Sequence, residues 1–349
     1  MKIDFLIVGQ GLAGSLLAWH LLEKGQRILV VDRDEPNTSS KIAAGLITPV
    51  YGSKFKTAGN LPSTLPYARK FYWDLEEKLG TVFYHHKRIA RLFQNHEDKA
   101  LWLKRLEGSS DQLKAYHEEL SVDEGLINAP FGGFEMKGGG WLDLPAFLEQ
   151  TRQHLLEHAA YAISKVDSEE IIADGLKVKW KNITAGKVVF CQGWRGHRNR
   201  FFDWIPMNPA KGEILEFQCE ELSRESRILN SGGWILPTLK SGTFRSGSTY
   251  DHDATNANPT DTGRKTIQEK ISRMVRPPVS ITKHFAAYRP TIRQSTVAMG
   301  THPGFQRVTF FNGLGSKGVL NGPYFANQMA EHLVQGTEIE GSVDIRRNF

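Results

Sequence analysis

The segment Gly9-Gln10-Gly11-Leu12-Ala13-Gly14 constrains this chain more than any other. Before it, Ile3-Asp4-Phe5-Leu6-Ile7-Val8 is a short apolar run of strand formers, which predicts a buried parallel strand. After it, Leu16, Leu17, Trp19, His20, Leu21 and Leu22 give a helical pattern that Gly25 stops. Arg27-Ile28-Leu29-Val30-Val31 predicts a second buried strand, and Asp32 ends it, 18 residues after Gly14. A lone Gly-x-Gly-x-x-Gly means little. Between a strand and a helix, with an acid closing the next strand, it specifies a dinucleotide-binding unit. Gly9 allows the tight turn, Gly11 lets the backbone approach a pyrophosphate, and Gly14 lets the helix pack on the strand. The helix start offers free N–H groups and a positive dipole end to phosphates. Asp32, with Arg33 beside it, suits the adenosine ribose, and an acid there argues against a 2′-phosphate.

Composition bounds the rest. A chain of 349 residues, 40% hydrophobic, supports one large domain or two ordinary ones. The net charge of +6 suits an anionic ligand such as a nucleotide, a carboxylate or a nucleic acid. The basic residues are mixed with acids along the chain, which argues for a solvated surface over a nucleic-acid patch. Cys191 and Cys219 form no Cys-x-x-Cys pair, so neither a disulfide framework nor a structural metal is expected, and a reduced cytoplasmic protein fits. Glycines and charges interrupt the apolar N-terminus, so a signal peptide is not expected; nor is a membrane span, which needs about eighteen uninterrupted apolar residues.

Further motifs follow the fingerprint. Ser39-Ser40-Lys41-Ile42-Ala43-Ala44-Gly45-Leu46-Ile47-Thr48-Pro49 is small, polar and glycine-bearing, and can lie flat against an extended ligand. Lys187 to Cys191 is an apolar strand that ends in a glycine turn, Gln192-Gly193-Trp194. Arg307 to Phe311 is another strand. It leads into Asn312-Gly313-Leu314-Gly315-Ser316-Lys317-Gly318 and a helix with Tyr324, Phe325, Met329 and Leu333 on its apolar side. A second helix start can therefore point at the same ligand.

In these segments, and in Tyr288-Arg289-Pro290-Thr291, the chain resembles the D-amino-acid oxidase and glycine oxidase superfamily of flavoproteins. The order and spacing agree over most of the cofactor-binding part, and the likeness is looser elsewhere. The resemblance implies FAD as cofactor. It implies an α/β fold: a Rossmann-like FAD-binding domain of the glutathione-reductase type, with a second α+β substrate domain on an antiparallel sheet. It puts Ser39 or Ser40 near the pyrophosphate, and Ala43, Ala44, Gly45 and Leu46 along the flavin ring. Val166 would hold the adenine, and Gln192, Gly193 and Trp194 would close over the dinucleotide. The loop Gly313, Leu314, Gly315, Ser316, Lys317 and Gly318 would face the pyrimidine edge of the flavin, where Lys317 and backbone N–H groups favour the reduced form. Relatives with covalent flavin carry a cysteine near the Tyr-Arg-Pro-Thr segment. Residues 285–291 have none, so the FAD is expected to be noncovalent.

The expected reaction is oxidation of a carbon–nitrogen bond in a small amine or amino acid, with oxygen or another acceptor taking the electrons. Arg289, at the end of an apolar strand and before a proline, is the candidate carboxylate anchor, since its planar fork matches that group. Tyr250 is a further candidate, with His252 and Tyr51 as weaker ones. Trp234 to Pro237 and Arg245 to Tyr250 predict antiparallel strands. Residues 1–85, 140–205 and 285–349 are assigned to the FAD-binding domain, and 86–139 and 206–284 to the substrate domain. Residues 98–121 predict exposed amphipathic helices. Leu144 to His158, capped by Asp143, and Arg264 to Met274 predict two more.

Two other readings stand beside this one. The Leu-Gly-Ser-Lys-Gly loop, with Arg289-Pro290 and Arg293, also resembles the oxidase half of the bacterial enzyme that finishes aminomethyl groups on the wobble uridine of transfer RNA. The last reading is a nonenzymatic flavoprotein that uses the fold as a scaffold.

Overall fold

The structure is a computed structural model that describes residues 1–57, 60–108, 111–293 and 297–348. One eight-stranded sheet organises the nucleotide half. The strand Lys2–Val8 lies at its centre, parallel to Ile28–Asp32 on one side and to Ile183–Phe190 on the other. Tyr161–Ile163 extends the first side, and Val308–Asn312 pairs with the end of Ile183–Phe190, both again in parallel. The continuous apolar run has a simple cause. Phe5 and Ile7 face one hydrophobic layer while Ile3, Leu6 and Val8 face the other, so both sides of the sheet are covered. Each such side chain contributes about 1.5–3 kcal/mol when fully buried.

The helix Leu12–Glu23 is buried from Leu12 to Leu21, which explains why it lacks a polar stripe. It lies between the sheet and the helix Gly318–Gln335. Two glycines let these helices touch: a Cβ on Gly322 would sit 2.6 Å from Leu16 Cδ1, and one on Gly318 3.0 Å from Leu12 Cδ2. Both helix starts are thus side by side.

The second half is an eight-stranded, mostly antiparallel sheet. Its strands run in the order Ser280–Arg289, Ala210–Gln218, Thr243–Gly247, Trp234–Pro237, Ile228–Asn230, Ile89–Leu92, Gly133–Met136 and His117–Glu119. Alternation along Ala210–Gln218 divides its residues between two faces. Leu215 and Phe217 meet Ile267, Ile271 and Met274 of the helix Asp261–Met274, while Gly212 and Ile214 face the cleft described below. Residues 98–121 differ from the predicted helices. The helices His96–Glu107 and Asp111–Lys114 end early, and His117–Glu119 is a strand on Gly133–Met136. Trp102 is buried there, stacked 3.7 Å from Phe134. The helix Leu144–Glu157 begins as predicted, with the Asp143 carboxylate accepting from the Ala146 N–H. Among the described residues, no helix is long and apolar enough to cross a membrane.

Candidate active site

A cleft lies where the two sheets meet, and the C-terminal ends of the parallel strands open into it, as the open α/β arrangement requires. Gly9 takes a φ of +105°, and a Cβ there would press on the Cys191 carbonyl at 2.5 Å. Gly14 lies inside the helix, where a Cβ would collide with the Gly9 carbonyl. That is the close helix–strand packing the motif calls for. The Asp32 carboxylate is held by backbone donors, from the Gln10 N–H at 2.7 Å and the Asp34 N–H at 2.6 Å. Ser164 continues from there, its N–H on the Asp32 carbonyl, and Ser164, Lys165 and Val166 line the cleft beside it.

The loop after the second strand folds back over the helix start. Ser40 Oγ accepts from the Leu12 N–H at 3.0 Å, which occupies one of the unpaired first-turn donors. A Cβ on Gly11 would lie 3.0 Å from the same oxygen, so fingerprint and serine loop crowd one point. Gly45, at φ +69°, lies against the Leu142 carbonyl with no room for a side chain. Across the cleft, the fully buried Asn312 ties two loops together. Its amide nitrogen donates to the Gly193 carbonyl at 2.8 Å, and its amide oxygen accepts from the Gly313 N–H at 2.8 Å.

The far end is apolar with one charge. Gly212, Ile214, Trp234, Ala287 and Pro290 line it together with Ser248 and Arg289. The Arg289 guanidinium donates to Ser248 Oγ at 2.6 Å and to the Thr249 carbonyl at 3.1 Å, and it lies 5.1 Å from the centre of the Tyr250 ring. Burial pushes its pKa below the usual guanidinium range, yet it remains a cation. Among the described residues it has no carboxylate partner. Behind this wall, Lys211 and Glu213 project from the opposite face of the same strand, 3.2 Å apart and almost wholly buried. Lys211 Nζ donates to the Asn258 carbonyl, and the Glu213 carboxylate accepts from the Thr260 N–H and hydroxyl at the start of Asp261–Met274. Burial works to raise the Glu213 pKa, but Thr260 and Lys211 outweigh it and hold the carboxyl below its ordinary value. This pair fastens the 249–260 segment, which carries one of the acceptors of Arg289.

Most of the residues expected from sequence line this cleft: Gly9, Gly11, Leu12, Ala13, Asp32, Arg33, Ser39, Ser40, Ala43 to Leu46, Val166, Gln192 to Trp194, Leu314 to Ser316, Gly318 and Arg289. Four do not. Gly14 and Gly313 shape the backbone behind it. Tyr250 is 56% exposed, its ring against His252 and 5.1 Å from the Arg289 guanidinium. Lys317 turns onto the Tyr51 ring, with Nζ 2.7 Å from its centre, and desolvation lowers its pKa to about 8. Sequence reading missed Gly212, Ile214, Ser248 as a guanidinium acceptor, and Glu35, which pairs with Arg33 and Arg195 at the adenosine end. Glu35 follows Asp32 closely enough to have been found; Gly212 gave no local signal.

This geometry agrees with the comparisons. The FAD dependent oxidoreductase (DAO) family matches residues 4–332, and the chain belongs to that family. Glycine oxidase of Pseudomonas putida is 24% identical over 97% of this chain and 96% of its own length. The bifunctional MnmC protein of Marinobacter nauticus, named for biosynthesis of tRNA 5-methylaminomethyl-2-thiouridine, is 22% identical over 95% of this chain and 55% of its own. Among solved structures, Bacillus cereus glycine oxidase superposes with a TM-score of 0.80 at 20% identity, covering 97% of this chain and 96% of that one. Iminodiacetate oxidase of Chelativorans gives 0.79 at 17% identity, with the same coverage. The chain is an FAD-dependent oxidoreductase with a Rossmann-like cofactor domain. The cleft fits that cofactor: an acid held by backbone amides, two adjoining helix starts and a long glycine-lined wall stand along one groove.

Proposed function

We propose that this enzyme oxidises the carbon–nitrogen bond of a small amine that carries a carboxylate, such as an N-substituted glycine or an amino acid. The observation that carries this reading is Arg289, a buried cation without a carboxylate partner among the described residues, facing an otherwise apolar end of the cleft. A substrate carboxylate would give that guanidinium its missing charge and a second pair of hydrogen bonds.

FAD would be held at its pyrophosphate by the Gly11–Ala13 helix start and Ser40, at its ribose by Asp32, and along its ring by residues 43–46 and 314–318. When bound, it supplies the two-electron acceptor that takes hydride from the carbon attached to nitrogen. Arg289 fixes the carboxylate and hence the direction of the adjoining carbon. Ile214, Trp234 and Ala287 keep that carbon out of water. Among the described residues, no acidic side chain lines this end of the cleft to trap the amine as an ammonium, so it can react as the neutral base. The imine product hydrolyses after release.

The test is an anaerobic visible spectrum of the flavin-loaded protein mixed with glycine, sarcosine, iminodiacetate, both prolines and a D-amino-acid panel. Bleaching by a carboxylated amine supports the reading. A persistent flavin band with every compound removes it. A second reading, a glycine-like amine on transfer RNA, draws on the match to the MnmC protein. It requires RNA binding that weakens steeply with salt.

A further inference from the structure

We propose that His154, Glu157 and His158 form a site for a divalent transition-metal ion, zinc being the probe, at the C-terminal end of the helix Leu144–Glu157. One potential ligand atom from each residue lies within 4.8 Å of the others. The spacing i, i+3, i+4 brings all three onto one helix face, in the order His-x-x-Glu-His that places two imidazoles around one ion. Ligand atoms bound at about 2.0–2.2 Å to a shared ion stand roughly 3.3 Å apart, so the three must draw in by about an ångström and a half. Glu157 and His158 are exposed and free to do so.

Three further observations support the site. The His158 ring is already oriented: its Nδ1 lies 2.8 Å from the His154 carbonyl. With the proton on Nδ1 donated to that oxygen, Nε2 is left with its lone pair outward, the arrangement that supports a metal-bound imidazole. The His154 ring packs against Trp19 at 4.5 Å and against the His158 ring at 4.3 Å, which holds the two imidazoles together. The negative end of the helix and the Glu157 carboxylate both favour a cation, and Glu157 makes no salt bridge among the described residues. Lys78, over the Trp19 ring, is the cation that works against it. Two imidazoles and one carboxylate select zinc, nickel or copper over magnesium or calcium.

The site is remote from the cleft in chemistry but linked to it in structure. The same helix supplies the Leu148 carbonyl that receives Gln10 of the glycine loop, and Thr151, which receives Trp19 Nε1. An ion bound only by the folded chain raises its stability by mass action. The role assigned is therefore a fastener of the cofactor domain.

The experiment is a zinc titration of the untagged, chelator-stripped, flavin-loaded protein, read by equilibrium dialysis with metal analysis and by thermal melting. Saturable uptake of one zinc per chain and an upward shift in Tm are expected. Both should vanish in His154→Ala/His158→Ala. They should also weaken in His158→Gln, an exposed change that leaves the Trp19 contact in place. The flavin absorbance of each variant reports that it is folded. No saturable uptake by the wild type, or uptake unchanged in the double variant, overturns the proposal.

Discussion

Gly212 and Arg289 lie on adjacent strands, and the guanidinium covers the glycine so closely that a Cβ there would overlap it. The glycine is required by its neighbour, since it has no turn to make. Gly212→Ala should displace Arg289 from Ser248 and Thr249. The loss is about 2 kcal/mol, the scale of a hydrogen bond to a charged group, or roughly thirtyfold in kcat/KM with most of it in KM. Arg289→Lys should do no better, because a lysine keeps the charge and loses the fork. Steady-state kinetics on whichever carboxylated amine reduces the flavin measures both.

Asp32 holds two backbone N–H groups, so its removal acts on the protein and on the cofactor together. Asp32→Ala should weaken FAD binding by about 2–3 kcal/mol, on the scale of hydrogen bonds to a charged acceptor. Flavin fluorescence on serial dilution would record the change. An unchanged dissociation constant would remove Asp32 from the cofactor site.

Lys211 and Glu213 stabilise the wall from behind. Lys211→Met takes the ammonium from a buried carboxylate, leaves it His284 Nε2 at 2.8 Å, and should cost about 3 kcal/mol in chemical denaturation. Lys211→Met combined with Glu213→Leu should cost less than Lys211→Met alone, because the stranded charge is gone.

Lys317 gives a pH-dependent signature. Its folded pKa, about 8, is below the ordinary 10.5, so between those values the unfolded chain holds more protons on this residue. Stability from Lys317 is therefore fully present above about 10.5 and is lost as pH falls through about 8. Lys317→Met should melt higher than wild type at pH 7, and the gap should shrink from pH 8 upward and close only above about pH 10.5. A gap that is independent of pH would show that the lysine is not desolvated.

The nucleotide half is legible in sequence because its determinants are local. The glycine fingerprint, the apolar strand before it and Asp32 after it fall within one supersecondary unit, and the cleft uses them where they stand. The substrate end is different. Gly212, Trp234, Ser248 and Arg289 meet only through the pairing of Ala210–Gln218 with Ser280–Arg289 and of Trp234–Pro237 with Thr243–Gly247. A one-residue change of register would send each to the other face, and no window of sequence records the register. Tyr250 illustrates this: the strand expected to reach it stops at Gly247, and the ring ends outside the cleft. Lys317 shows a related limit. Its position in the loop was readable, but its turn toward Tyr51 depends on a residue far away in the chain. His117–Glu119 reads as helix from its charges and becomes strand because Gly133–Met136 offers it an edge.

The contact between Gly318 and Leu12 has a consequence for biosynthesis. A chain emerging from the ribosome presents the fingerprint, its helix and Asp32 first. The partner helix, the Asn312 bridge and the second helix start arrive about three hundred residues later. Until then the nascent chain displays the apolar back of its first helix to solvent, and the groove for FAD has only one of its two sides. Cofactor capture is therefore tied to the appearance of residues 308–335, and a truncated chain should emerge colourless however intact its N-terminal half.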